Sequence, residues 1–169
     1  MTLLPKLAIG LAAFLATGYV AGQFASRAIA TDITIDAKPE AVWTVLSDTD
    51  AYADWNPFVR DLSGDLREGS RISATIAPPG GSAMTFHPIV LTANPDEELR
   101  WRGKLGVRGV FDGEHFFKLS PLLGGGTKLE HGETFRGALV PVLFPMLADQ
   151  TRAGFVQMNV ALKARAEAL

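Results

Sequence analysis

Between Thr31 and Asp36 the chain reads Thr-Asp-Ile-Thr-Ile-Asp, polar and apolar residues in strict alternation, which is the period of a strand with one buried face. Pro39 and Glu40 then open a stretch in which Val42, Trp43 and Leu46 recur at three- and four-residue spacing. A short helix is predicted there, with proline in the first turn, where its missing N–H costs nothing. Asp48-Thr49-Asp50 starts a second short turn carrying Tyr52 and Trp55. Asn56-Pro57 stops it, because the residue before proline is pushed out of the helical region. From there the pattern is extended, with segments at about 60–66, 70–77, 84–93, 97–104, 108–120 and 126–136. Glycine and proline turns divide them, among them Glu68-Gly69, Pro78-Pro79-Gly80-Gly81, Asn94-Pro95-Asp96 and Gly124-Gly125-Gly126. Consecutive strands on short turns predict an antiparallel meander.

The period then changes. Phe144, Leu147, Thr151, Phe155, Met158, Leu162, Ala166 and Leu169 fall three or four apart, while Asp149, Arg152, Gln157, Asn159 and Lys163 take the other side. This is the signature of a long amphipathic helix, interrupted only mildly by Gly154. The order of elements predicts an α+β fold: a curved antiparallel sheet of about seven strands wrapped on a long C-terminal helix, with two short helices after strand 1. Residues 31–169 are read as one domain.

The first 30 residues differ in kind. From Leu7 to Ser26 there is no charge, and 20 residues at about 1.5 Å each make a helix as long as a bilayer's hydrocarbon core is thick. An N-terminal apolar helix is therefore expected, with residues 3–26 as a membrane partner and a single-pass anchored location. The alternative is a cleaved signal segment and an exported or periplasmic protein, with Val20-Ala21-Gly22 or Ala28-Ile29-Ala30 as small-residue cleavage sites.

Charge narrows the partners. Lys6 and Arg27 aside, residues 31–169 carry 14 basic and 18 acidic side chains, a balance that disfavours nucleic acid. Cysteine is absent, which removes thiol nucleophiles, iron–sulfur clusters and cysteine zinc sites. The glycine run before Thr127-Lys128 joins two strands and lacks the Gly-Lys-Ser/Thr ending of a phosphate loop, and no Gly-x-Ser-x-Gly nucleophile motif occurs.

Several local sequences in this order carry a resemblance: Pro39-Glu40-Ala41-Val42-Trp43, Trp55-Asn56-Pro57-Phe58, Gly113-Glu114-His115-Phe116-Phe117, and Gly126-Thr127 leading to His131-Gly132-Glu133-Thr134-Phe135-Arg136-Gly137. Over roughly residues 31–166 the chain resembles the SRPBCC superfamily, the START-like helix-grip group that includes polyketide cyclase/dehydrase-like proteins. The resemblance implies a deep hydrophobic cavity between sheet and C-terminal helix. It names no particular ligand, since function is carried by the site and not by the fold.

Strand alternation supplies the candidate chemistry. Phe111, Gly113, His115, Phe117 and Leu119 share one face, and Leu129, His131, Glu133 and Phe135 share one face of the neighbouring strand. If Leu119 pairs with Leu129, His115 stands opposite Glu133 and Phe117 opposite His131; a two-residue slip puts His115 opposite His131. Burying two imidazoles and a carboxyl is costly unless they bond to each other or to a ligand. A structural hydrogen-bond network, a polar tip that orients a ligand, and acid–base catalysis by His115 or His131 tuned by Glu133 all fit. An ionised Glu133 would raise the histidine pKa values. The expected ligand wall is Trp55, Phe58, Phe86, Trp101, Phe111, Phe117, Phe135, Phe155 and Met158 around His115, His131 and Glu133. His87, of opposite parity to Phe86 and Pro88, is expected to face solvent. No cofactor or metal site is assigned. The function expected first is binding of a small hydrophobic, aromatic or lipid-like molecule; the alternative is an enzyme of the cyclase/dehydrase type using the His/Glu cluster.

Overall fold

The computed structural model describes residues 25–169. Strand β1 (Ser26–Ile35) is followed by helix α1 (Pro39–Ser47), a 3-10 turn at Thr49–Ala51 and the single-turn helix α2 (Tyr52–Trp55). Strands β2 (Val59–Ser63), β3 (Ser73–Ile76), β4 (Met84–Phe86), β5 (Ile89–Asn94), β6 (Glu98–Lys104), β7 (Asp112–Pro121) and β8 (Thr127–Arg136) precede the long helix α3 (Val140–Ala166).

Among the described residues the antiparallel strands number eight and lie in two sheets, ordered β1-β8-β7-β6-β5 and β2-β3-β4. The extended run expected over 84–93 is broken at His87-Pro88, because proline has no N–H for a ladder and the chain turns a corner there. An isolated bridge between Arg71 and Ile89, with Ile72 N–H donating to the Pro88 carbonyl at 3.0 Å, joins the sheets across that corner. Together they form the curved wall that wraps α3. The expected strand 108–120 begins only at Asp112, whose carboxylate accepts from the Gly109 N–H at 3.2 Å, and Gly106 and Gly109 before it hold φ of 71° and 82°.

The local signals act as expected at the front of the domain. Proline stands in the first turn of α1, whose Val42, Val45 and Leu46 are buried. Tyr52 donates its hydroxyl to the Leu46 carbonyl at 2.8 Å, and burial raises its pKa far above the phenol range. Asn56 Oδ1 accepts from the Phe58 and Val59 N–H groups at 3.0 and 2.9 Å, which turns the chain out of α2 into β2.

At the N-terminus the structure corrects the sequence reading. Strand β1 starts at Ser26, five residues before the alternation at Thr31, and runs antiparallel to β8 from Ser26 opposite Arg136 to Ile35 opposite Thr127. Ser26 is therefore not the end of a spanning helix, and a cut at Ala28-Ile29-Ala30 would remove half of a paired strand whose Ile29 is buried. Among the described residues no helix is long and apolar enough to cross a membrane. The membrane partnership and the single-pass location are accordingly withdrawn; the part of the apolar helix expected over residues 3–26 that precedes residue 25 lies outside the described residues.

Helix α3 starts four residues earlier than its periodicity marks, with Pro141 in the first turn and Pro145 inside it. Leu169, placed on its apolar face, lies beyond the helix end and is exposed. Gly154 has a use that spacing does not reveal, since a Cβ there would overlap the Phe58 ring. Replacing an exposed helical glycine by alanine usually gains up to about 1 kcal/mol. Here overpacking costs about 1–3 kcal/mol, so Gly154→Ala should lower the midpoint of urea unfolding. A raised midpoint would mean that Phe58 is loosely held.

Candidate functional site

The β7–β8 register is Leu119 opposite Leu129, Phe117 opposite His131, and His115 opposite Glu133, the first of the two pairings that alternation allows. Across the sheet, Ile29, Glu133, His115 and Trp101 form one row and Thr31, His131, Phe117 and Leu99 the next. The rows place the polar groups of three strands beneath α3.

A cavity of about 350 Å³ opens between this sheet, β3–β4 and the first turns of α3. Of the residues named from sequence, Phe58, Phe86, Trp101, Phe111, His115, Glu133 and Phe135 line it. Five other expected wall residues do not. Trp55 packs on Tyr52 at a ring distance of 5.2 Å and borders a separate hollow of about 50 Å³ near Arg165. Phe117, His131, Phe155 and Met158 are fully buried behind the wall. His131 is covered by Phe155, ring centroids 4.1 Å apart, and Phe155 meets Phe58 edge to face at 5.4 Å. His87 is exposed, as its parity predicts. Sequence reasoning left out Leu143, Met146 and Leu147 as wall residues, although Leu147 and Thr151 had been placed on the helix's apolar face; both line the cavity.

The polar cluster continues into the core. His131 Nδ1 lies 2.7 Å from Asn159 Oδ1, and His131 Nε2 lies 2.9 Å from His115 Nε2. Asn159 Nδ2 donates to Thr31 Oγ1 at 2.9 Å, and the Thr31 hydroxyl donates to the His131 carbonyl at 3.1 Å. Asn159 was assigned to the polar side of α3, yet it is only 3% exposed. Its periodicity misleads because the side chain turns to a buried acceptor and donor instead of to solvent.

His115 Nδ1 is buried without a hydrogen-bond partner, and Glu133 Oε2 stands 3.8 Å from it, too far for a hydrogen bond. The imidazole is stacked on Trp101 at 4.8 Å and 7° and is edge-on to Phe155 at 5.1 Å. In this aromatic casing desolvation drives the His115 pKa down to about 3. Desolvation, reinforced by neighbouring His115, holds His131 well below the imidazole range, against the opposing effect of its bond to Asn159. Desolvation also pushes the Glu133 carboxyl up to about 8. The condition of an ionised Glu133 is therefore not met: at neutral pH both imidazoles are neutral and Glu133 is a carboxylic acid, because loss of water outweighs mutual attraction.

Glu133 is the group that faces the cavity. Its side chain is 15% exposed and leans over Gly113, where a Cβ would overlap Oε1. The arrangement gives an apolar, aromatic-walled space with one neutral acid in its wall and a bare imidazole nitrogen behind it. Among the described residues no group of three or more His, Asp or Glu side chains is placed to hold a metal ion.

The model of a family described as polyketide cyclase / dehydrase and lipid transport matches residues 26–167. No curated protein matches significantly. Among solved structures, the Zhui aromatase/cyclase of Streptomyces sp. R1128 aligns with a TM-score of 0.69 and 18% identity, over 85% of this chain and 94% of that one. A START superfamily protein of Mycobacterium smegmatis aligns at 0.67 and 21%, over 83% and 97%. Norcoclaurine synthase of Thalictrum flavum aligns at 0.65 and 14%, over 86% and 90%. At these identities the structural likeness speaks for the fold alone. With the family model matched along almost the whole described domain, the chain belongs to the polyketide cyclase / dehydrase and lipid transport family, in the START-like helix-grip superfamily.

Proposed function

We propose that the protein is a proton-transfer enzyme of the cyclase/dehydrase type, acting on a small, ring-bearing apolar molecule held in the cavity. The observation that carries this reading is the Glu133 carboxyl, kept neutral up to about pH 8 in an apolar wall. A carboxylic acid with a pKa near the working pH can both give a proton to a ligand oxygen and take one back. Phe58, Phe86, Trp101, Phe111 and Phe135 would hold the rings, as apolar walls with few polar groups do in small-molecule sites. The matched structures include an aromatase/cyclase and a synthase by name, which supports the class and leaves the substrate to experiment.

A second reading, a holder of apolar molecules without catalysis, is favoured by the cavity mouth. Met84, Leu105 and Met146 line the cavity and are 51%, 47% and 75% exposed, an apolar rim of the kind that marks entry of greasy ligands.

The bicyclic ketone 2-tetralone in D2O separates the two. Glu133 would protonate its carbonyl oxygen while water removes an α-proton, and return of the enol would leave deuterium on carbon. The wild-type protein should speed α-deuteration followed by proton NMR, and Glu133→Gln should slow it by about 10²-fold or more with little change in tetralone affinity. Binding without exchange above buffer would sink the enzyme and leave the holder.

A further inference from the structure

The hydrogen bonds behind the cavity have a direction. Thr31 and His131 are cross-strand partners on β1 and β8, and the Thr31 hydroxyl gives its proton to the His131 carbonyl, so its oxygen is left to accept from Asn159 Nδ2. Asn159 then presents Oδ1 to His131 Nδ1, which must carry the proton of that ring. A neutral His131 has a bare Nε2, so the proton between the rings belongs to His115 Nε2. His115 is left with a bare Nδ1, and that is the buried, unpartnered atom facing Glu133. Turning the Asn159 amide would reverse every step. It would also lose a bond, because the single Thr31 proton would go to Asn159 and leave the His131 carbonyl without it.

We propose that Thr31 and Asn159 are positioning residues: they fix the direction of proton donation along the chain Thr31–Asn159–His131–His115 and so keep the cavity's proton on Glu133. A bare Nδ1 can only accept, and it rewards the acid form of Glu133. A protonated Nδ1, 3.8 Å from Oε2, would turn a positive N–H end toward the carboxyl and reward the ionised form. A strand hydroxyl that never touches the cavity therefore adds to desolvation in holding the cavity acid in its protonated form.

The other groups around Glu133 leave this control to His115. From β1 the opposing residue is Ile29, from β6 the row carries Trp101, and the α3 residues on the cavity, Leu143, Met146, Leu147 and Thr151, do not titrate. Among the described residues, the one further charged side chain lining the cavity is Lys104, at the end of β6.

This inference rests on Glu133 being the functional acid, but its test needs no substrate. In protein labelled with 15N and with 13C at glutamate carboxyls, NMR at pH 7 should show His115 protonated at Nε2 only and His131 at Nδ1 only, with Glu133 in the acid form. Thr31→Val removes the hydroxyl without loss of volume and frees the amide to turn. Both tautomers should then be free to invert as Glu133 ionises, and Glu133 should lose its proton at a pH lower by one unit or more, a tenfold fall in proton occupancy above its midpoint. Thr31→Ser should restore the wild-type pattern. A merely structural Thr31 would alter stability and leave tautomers and titration alone, which would overturn the proposal. Finding wild-type His115 protonated at Nδ1 would overturn it even if no variant folded. Failure of tetralone exchange with the tautomers as stated would instead count against the enzymatic reading.

Discussion

Phe155→Ala is expected to cost about 3–5 kcal/mol of stability, the range for removing a large aromatic ring from a packed core. Sequence periodicity alone allows two outcomes, since a residue on the apolar face of α3 could belong to core or to cavity wall. The structure decides for core. Phe155 has no exposed surface, lies against Phe58, His115 and His131, and does not border the cavity. Truncation would open a new void beside two neutral imidazoles, and water entering it would relieve the desolvation that keeps them neutral. Urea unfolding should show the loss, and imidazole NMR should show His131 titrating closer to its ordinary range. Leu147→Ala, which only enlarges an existing space, should cost much less. A loss below about 1 kcal/mol for Phe155→Ala would place that ring at a cavity after all.

The second large effect is on pH dependence. Both histidines have folded-state pKa values below their unfolded ones, so their share of stability is complete above about pH 6.5 and drains away as the pH falls. Glu133 has the opposite arrangement: raised to about 8, it contributes fully below its unfolded value near 4.5 and loses that contribution as the pH climbs to 8. One proton is worth about 1.4 kcal/mol per pH unit. From pH 6.5 down to 4.5 the two histidines against one carboxyl leave a net fall of about 1.4 kcal/mol per unit, and below 4.5 the fall steepens to about 2.7. Between 6.5 and 8 the carboxyl alone gives a fall of about 1.4 per unit in the other direction. The cluster's contribution should peak near pH 6.5 in a series of denaturant titrations. Glu133→Gln, which cannot ionise, should flatten the alkaline limb and steepen the acid limb between pH 6.5 and 4.5 to about 2.7 kcal/mol per unit, since nothing then offsets the histidines. An alkaline limb that stays in the variant would show that another group causes it.

Much of this was legible in residue order, and the failures have physical causes. Alternation narrowed the β7–β8 register to two pairings, because a one-residue slip would turn every side chain to the wrong face, and the structure takes the one with Leu119 opposite Leu129. The same alternation put His115, His131 and Glu133 together. It could not say that loss of water would prevail over charge attraction, because desolvation depends on the Trp101, Phe117 and Phe155 rings that β6, β7 and α3 bring together. Asn159 was missed because an amide at a polar-looking helix position ordinarily faces water, and only its meeting with Thr31 and His131 across 128 and 28 residues of sequence distinguishes it. The corner at Pro88 was present in the sequence as a proline inside an extended run, and a missing N–H there makes two strands out of one. Ser26 was assigned to an apolar helix because composition does not distinguish a small-residue strand from a spanning segment; pairing with Arg136 does.

Helix α3 changes occupation along its length. Leu143, Met146, Leu147 and Thr151 on its first turns face the cavity, whereas Phe155, Met158, Asn159, Leu162 and Ala166 are sealed in the core. The later turns are also tied to the first strand, with Arg152 donating to the Ala30 carbonyl at 3.0 Å and Lys163 to the Thr34 carbonyl at 2.9 Å. Descendants of this sequence could therefore exchange one guest for another by redrawing a dozen residues at the head of the helix, while its tail keeps the same fold under the same proton.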